Sequence, residues 1–211
     1  MSIVNRLQAI ARKARTRVPV PDVVRAMLKR VQDRGTPPPP APIATEPEPV
    51  APKKPSWELR SPAELVDHIV GHYHEGLRRD LPVLIAAARR IERDHAGHPA
   101  LPGQLADELA ALAMELESHM LKEETMLFPM LRTGARGGEL DMPMRMMERD
   151  HDDHAETLER IRRSTGDLKA PADASEAWHE LYAGLATLET DLRQHVYLEN
   201  NILFARATVG P

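Results

Sequence analysis

The sequence predicts an all-α protein whose main part is an antiparallel, up-down four-helix bundle. Three observations carry this. Apolar residues recur at alternating three- and four-residue steps through four long segments after residue 56. No segment alternates with the two-residue period of a strand. The breaks between the four segments are short and rich in Gly and Pro, and short connections make successive helices antiparallel neighbours.

Two smaller parts precede the bundle. Residues 1–35 form a short basic segment, with nine Lys and Arg against two Asp. The whole chain is net −4, so the remainder is strongly acidic, and this asymmetry separates two units. Residues 3–17 and 21–34 read as short helices broken by Val18-Pro19-Val20-Pro21. A solvated or partner-docking pair is the expectation for them, ahead of a nucleic-acid or anionic-membrane contact. Residues 36–55 are a Pro-rich linker containing Pro37-Pro38-Pro39-Pro40, which favours extended polyproline II. Residues 56–211 hold the bundle.

The first bundle helix opens on Ser61-Pro62-Ala63-Glu64. This is an N-cap serine, a proline in the first turn and a glutamate placed for a capping box. It runs to about residue 95, with Pro82 expected to kink it. The second helix spans about 102–131, the third about 143–163, and the fourth runs from 173 or 175 to about 206. Gly-containing loops at 134–138 and 166–171 separate them.

Polar residues occupy the core stripes. In the second helix Leu105, Leu109, Leu112 and Leu116 are continued by His119, Glu123, Met126 and Met130. In the fourth, Leu185, Leu188 and Leu192 lead to His195, Glu199 and Ile202. The first stripe places His74 between Val70 and Leu77, and the third places His151 and His154 between Met147 and Leu158. Burying carboxylates without compensation costs several kcal/mol each, roughly, so something must offset them.

An internal repeat singles out six of these residues. His119-x3-Glu123-x3-Leu127-Phe128 recurs 76 residues later as His195-x3-Glu199-x3-Leu203-Phe204. His74 lies 45 residues before His119, and His151 lies 44 before His195. Positions i and i+4 share a helix face, so each His-x3-Glu can present a nitrogen and an oxygen to one site. Two half-sites, each one histidine plus one His-x3-Glu, give four imidazoles and two carboxylates. This nitrogen-rich, sulfur-free set suits a pair of iron atoms, with manganese or zinc as alternatives. The metal ligands are therefore expected to be His74, His119, Glu123, His151, His195 and Glu199.

Glu115, one turn before His119, and His154, on the third stripe, are candidates for hydrogen bonding behind the ligands. A surface salt bridge is the competing role for Glu115. His68, His72, His95, His98 and His179 do not obey the repeat and are read as structural or solvated. The ten methionines read as adaptable core filler rather than copper ligands. With no cysteine, the chain has no disulfides, thiolate-bound clusters or thiol nucleophiles. No apolar run approaches the roughly 20 residues of a membrane span, and no secretory leader pattern appears, so a cytoplasmic protein is expected.

Several segments bring the chain close to a known family: Tyr73-His74, Ser118-His119-Met120, Lys122-Glu123-Glu124, Leu127-Phe128-Pro129, His151-Asp152 and Leu198-Glu199-Asn200-Asn201. Residues 57–208 resemble the hemerythrin-like (HHE cation-binding) domain of the di-iron Repair of Iron Centers (RIC) proteins. The resemblance implies a hemerythrin-like bundle with the same six ligands, and with Glu123 and Glu199 bridging two irons, with or without an oxo bridge. Oxygen-carrying hemerythrins have a further histidine where this chain has Ala155. They end in His-x4-Asp, where this chain has His195-x3-Glu199. Both differences favour the repair-type site. The repair proteins usually carry a small N-terminal domain with a cysteine pair; residues 9–31 look faintly like its later helices, without the cysteines.

The resemblance implies a protein of nitrosative and oxidative stress that repairs damaged iron–sulfur clusters, by iron donation or NO processing. Its partners would be O2 or NO and apo or damaged iron–sulfur proteins, with no membrane span and no nucleic acid. The alternative is a non-enzymatic O2/NO-binding sensor or store, and a purely structural metal is a third reading. Whether the centre turns over as an enzyme stays open at this point.

Overall fold

The computed structural model describes residues 56–208, all within one compact unit. The expected basic head over 1–35 and the linker over 36–55 lie outside the described residues. Among the described residues there is no strand, and four helical rods form the expected bundle.

Rod A comprises α1 (Pro62–His68), a π-helical segment (Ile69–His74) and α2 (Glu75–Asp94). Rod B comprises α3 (Leu105–Lys122), a π segment (Glu123–Leu127) and α4 (Phe128–Arg132). Rod C is the single helix α5 (Gly138–Ser164). Rod D comprises α6 (Glu176–Leu198), a π segment (Glu199–Phe204) and α7 (Ala205–Thr208).

The capping box forms as its sequence requires. Ser61 Oγ accepts from the Glu64 amide at 3.2 Å, and Glu64 Oε2 accepts from the Ser61 amide at 2.9 Å. Pro82 sits inside α2 without ending it; the departure from α geometry in rod A lies earlier, at Ile69–His74. Rod C begins at Gly138, before the expected Pro143, which lies inside the helix.

Rod B packs on rods A and C, and rod D packs on rod A. The start of A, the end of B, the start of C and the end of D meet at one end of the bundle. There the Gly137 amide donates to the Ala207 carbonyl at 3.2 Å, and Arg132 pairs with Asp67. Arg206 donates to the Arg60 and Trp57 carbonyls at 2.7 and 2.9 Å, tying rod D to the short 3-10 turn Trp57–Leu59. The rods are therefore antiparallel in up-down order.

Two apolar layers fill the interior. At this end pack Leu65, Ile69, Phe128, Leu140, Leu203 and Phe204 with their neighbours. Toward the other end lie the leucines of α2, α3 and α6, closed by the fully buried Trp178. Between the layers runs a polar belt.

The π segments explain where the stripes depart from expectation. A π turn adds one residue to a helix and shifts the buried face by one position. Up to and within Ile69–His74 the buried apolar positions in rod A include Leu65, Ile69 and Tyr73; after it they include Leu77, Leu81 and Leu84. Val70, expected on the core face, is only half-buried. In rod B, Leu127 and Leu131 take the core positions expected for Met126 and Met130. Met126 is exposed.

Candidate metal centre

The polar belt contains the six residues singled out by the repeat. His74, His119, Glu123, His151, His195 and Glu199 are all buried, none more than 4 % exposed. Each rod contributes. His74 ends the π segment of rod A, His119 and Glu123 straddle the start of the π segment in rod B, and His195 and Glu199 do the same in rod D. His151 projects from the regular helix of rod C.

The six form two groups of donor atoms, each group lying within 4.8 Å. One is His74, Glu123, His195 and Glu199; the other is His119, Glu123, His151 and Glu199. Both glutamates belong to both groups, as a bridging pair must. The two half-sites of the repeat interleave. The first half of the repeat gives His74 to one group and His119 to the other, so neither half builds a site alone.

The donors face inward because their outer atoms are held. His74 Nδ1 donates to Glu124 Oε1 at 2.7 Å, and Arg78 holds that same oxygen at 3.0 Å. His119 Nδ1 donates to Asp150 Oδ2 at 3.3 Å, and Asp150 is paired with Lys122. His151 Nδ1 donates to Asn200 Oδ1 at 3.1 Å. A hydrogen on Nδ1 leaves the Nε2 lone pair for a metal. The repeated Phe has a role here too. Phe128 stacks on His74 and Phe204 on His151, with ring centroids 5.7 and 6.3 Å apart.

This set fits a cation on grounds internal to the structure. His119 Nε2 and His151 Nε2 lie 3.2 Å apart while both Nδ1 atoms donate outward. Two lone pairs so placed repel unless a cation lies between them. Nitrogens at right angles around one cation, with bonds of about 2.1 Å, stand about 3 Å apart. Both oxygens of Glu123 and Oε2 of Glu199 are buried without a hydrogen-bond partner. Orphaned carboxylate oxygens in a dry core are what a metal would satisfy.

The electrostatics agree. Burial holds the His74 imidazole down at about 4 and that of His119 at about 3, so both stay neutral and ligand-ready at neutral pH. Burial and the adjacent Glu199 charge push Glu123 well above the usual carboxylate range. Burial also raises Glu199, but His195 and His151 outweigh it and carry this carboxyl well below that range. Without a cation, Glu199 is the charged partner and Glu123 keeps the proton.

His154 is buried, edge-on to His119 at 5.2 Å, with its Nδ1 unpaired. Burial and the neighbouring His151 lower its imidazole to about 4. It lies outside both donor groups. Glu115 is exposed on an open depression that Asp150, Asp153 and His154 also line, and it forms no ion pair among the described residues. The carboxylates and amide that touch the histidines are instead Glu124, Asp150 and Asn200, to which sequence reasoning gave no role. Their adjacency to Glu123, His151 and Glu199 was the only available signal. Of the remaining histidines, His68 and His72 stack beneath Trp57, and His95 and His98 pack edge-on against Trp178 at the far end.

Comparison with known proteins bears directly on this centre. Residues 65–207 match the family described as Hemerythrin HHE cation binding domain. The chain belongs to the hemerythrin HHE cation-binding family. Its relatives include proteins named iron-sulfur cluster repair protein YtfE from Citrobacter koseri, Enterobacter sp. strain 638 and Escherichia coli O81. They are 43%, 44% and 43% identical over 154 residues, which is 73% of this chain and 70% of each relative. The hemerythrin match spans all four rods and every residue of the polar belt. A metal-binding bundle is thus supported by family and by donor geometry alike. No helix among the described residues is long and apolar enough to cross a membrane.

Proposed function

We propose that this protein repairs damaged iron–sulfur clusters and holds two irons on His74, His119, Glu123, His151, His195 and Glu199. The observation that carries the reading is the pair of four-residue donor groups sharing Glu123 and Glu199. The relatives' name supplies the cellular task. A bound iron pair with four imidazoles and two carboxylates would supply ferrous–ferric redox chemistry and open positions for O2 or NO.

The chain's own residues perform the rest. Glu124, Asp150 and Asn200 aim three imidazoles. The two leucine-rich layers and the phenyl rings of Phe128 and Phe204 exclude water. Burial and Glu199 hold the Glu123 carboxyl well above the usual range, so metal loading would require it to give up a proton and acidification would favour release. The basic segment 1–35, joined through the Pro-rich linker 36–55 to the bundle 56–211, would engage the recipient protein in the cytoplasm.

The test is iron transfer to an apo iron–sulfur enzyme. The loaded wild-type protein should restore the recipient's activity, and His119→Ala and Glu199→Ala should abolish transfer. A second reading is a non-enzymatic O2/NO sensor or store. It is favoured by the cavity of about 290 Å³ walled by Ala155, Leu158 and Val196 beside His151. Gas binding without any iron transfer would select it.

A further inference from the structure

The two donor groups differ in how their histidines are held. In the His119/His151 group, both rings are aimed from behind. Asp150, itself paired with Lys122, accepts from His119 Nδ1 at 3.3 Å, and Asn200 accepts from His151 Nδ1 at 3.1 Å. In the His74/His195 group, only His74 has such a partner, Glu124 at 2.7 Å. His195 Nδ1 is buried with no hydrogen-bond partner. Its ring is positioned by stacking on Tyr73, with centroids 5.4 Å apart and planes at 6°. Stacking fixes the plane of a ring but leaves it free to slide and turn within that plane.

The inner atoms do not separate the two groups. The Nε2 atoms of each histidine pair lie 3.2 Å apart, and His195 and His151 each bring Nε2 close to Glu199, at 2.8 and 3.1 Å. The difference lies behind the rings.

We infer that the two cation positions are unequal: the one held by His119 and His151 fills first and binds tightly, and the one held by His74 and His195 is the exchangeable site. Outer partners of metal-bound histidines are typically worth about 10- to 100-fold in affinity. The two positions should therefore differ by about that factor. This rests on the two-cation reading above and adds which of the two an acceptor takes. The open depressions lined by His151 and His154 flank the tighter position, so the inference concerns equilibrium affinity, not speed of escape.

The experiment is an anaerobic titration of metal-free full-length protein with ferrous iron against a competing chelator, read at equilibrium. Two binding steps separated by about 10- to 100-fold are expected. His195→Ala should retain the tight step and lose the weak one, and His151→Ala should lose the tight step. Asn200→Ala, a milder change behind His151, should weaken the tight step and leave the weak step in place. Two equal steps would overturn the inference while leaving the two-iron reading intact. So would loss of the tight step in His195→Ala, or an effect of Asn200→Ala confined to the weak step. Binding of a single iron by the wild type would instead overturn the two-iron reading itself.

Discussion

Both oxygens of Glu123 are buried without a hydrogen bond, and the side chain is fully inaccessible. Such a group burdens the metal-free fold by about 1–3 kcal/mol. Glu123→Leu should therefore raise the melting temperature of the metal-free protein, by about 2–4 °C for each kcal/mol recovered. The same change should cut metal content below that of the wild type. Thermal melts and metal analysis on one preparation check both halves, and an unchanged metal content removes Glu123 from the site. Acid sensitivity follows from the neighbouring imidazoles. Burial lowers His74 to about 4, His119 to about 3 and His154 to about 4. Between about pH 6.5 and pH 4 the unfolded chain takes up these protons and the folded metal-free chain does not. Stability is thus full above pH 6.5 and is lost as pH falls through that window. Glu123, raised in the folded state, works in the opposite direction but carries one proton against three. Denaturant melts of the metal-free protein at pH 7 and pH 5 should show the lower stability at pH 5.

At the scale of elements, three rods carry a π segment at the polar belt, and the two in rods B and D begin at the repeated glutamates. The extra residue comes after each His-x3-Glu pair, which already shares an α-helical face, and it lets the apolar face that follows turn back to the core. Thr125, exposed inside the segment of rod B, can be deleted without removing a core residue. The deletion should restore regular α geometry, keep Leu127 and Leu131 buried and re-aim Glu123. Circular dichroism is expected to stay near that of the wild type while metal content falls; retention of full metal content would show that the π turn is dispensable. The repeat is a repeat of elements only in part. Phe128 and Phe204 support His74 and His151 alike, yet rod C has no π segment to match that of rod A.

At the scale of the molecule, the centre needs all four rods, because each donor group takes its histidines from two rods and its glutamates from rods B and D. Metal binding and bundle assembly are therefore one equilibrium, and a ligand at 100 times its dissociation constant adds about 2.7 kcal/mol. Both candidate donor groups lie within the described residues 56–208. A protein lacking residues 1–55 should accordingly hold as much metal as the full chain, while its transfer of iron to a recipient protein falls. Equal metal content with equal transfer would leave the basic segment without the proposed docking role.

The sequence by itself determined the all-α bundle and singled out six His and Glu residues that the structure brings together, buried, in one belt. A stripe of leucines interrupted by His and Glu on four helices is a local pattern, and a 76-residue repeat is visible without any structure. It misjudged Val70, Met126 and Met130, because a π turn shifts the helical face by one residue and leaves no mark in apolar spacing. It gave no role to Glu124, Asp150 and Asn200, because an acidic or amide side chain beside a ligand looks like any solvated polar residue until its partner across the bundle is known. Only the tertiary structure decided that His74 meets His195 and that His119 meets His151. Which helices are neighbours at a given height is set by how the rods pack around the axis, and that is a property no single helix encodes.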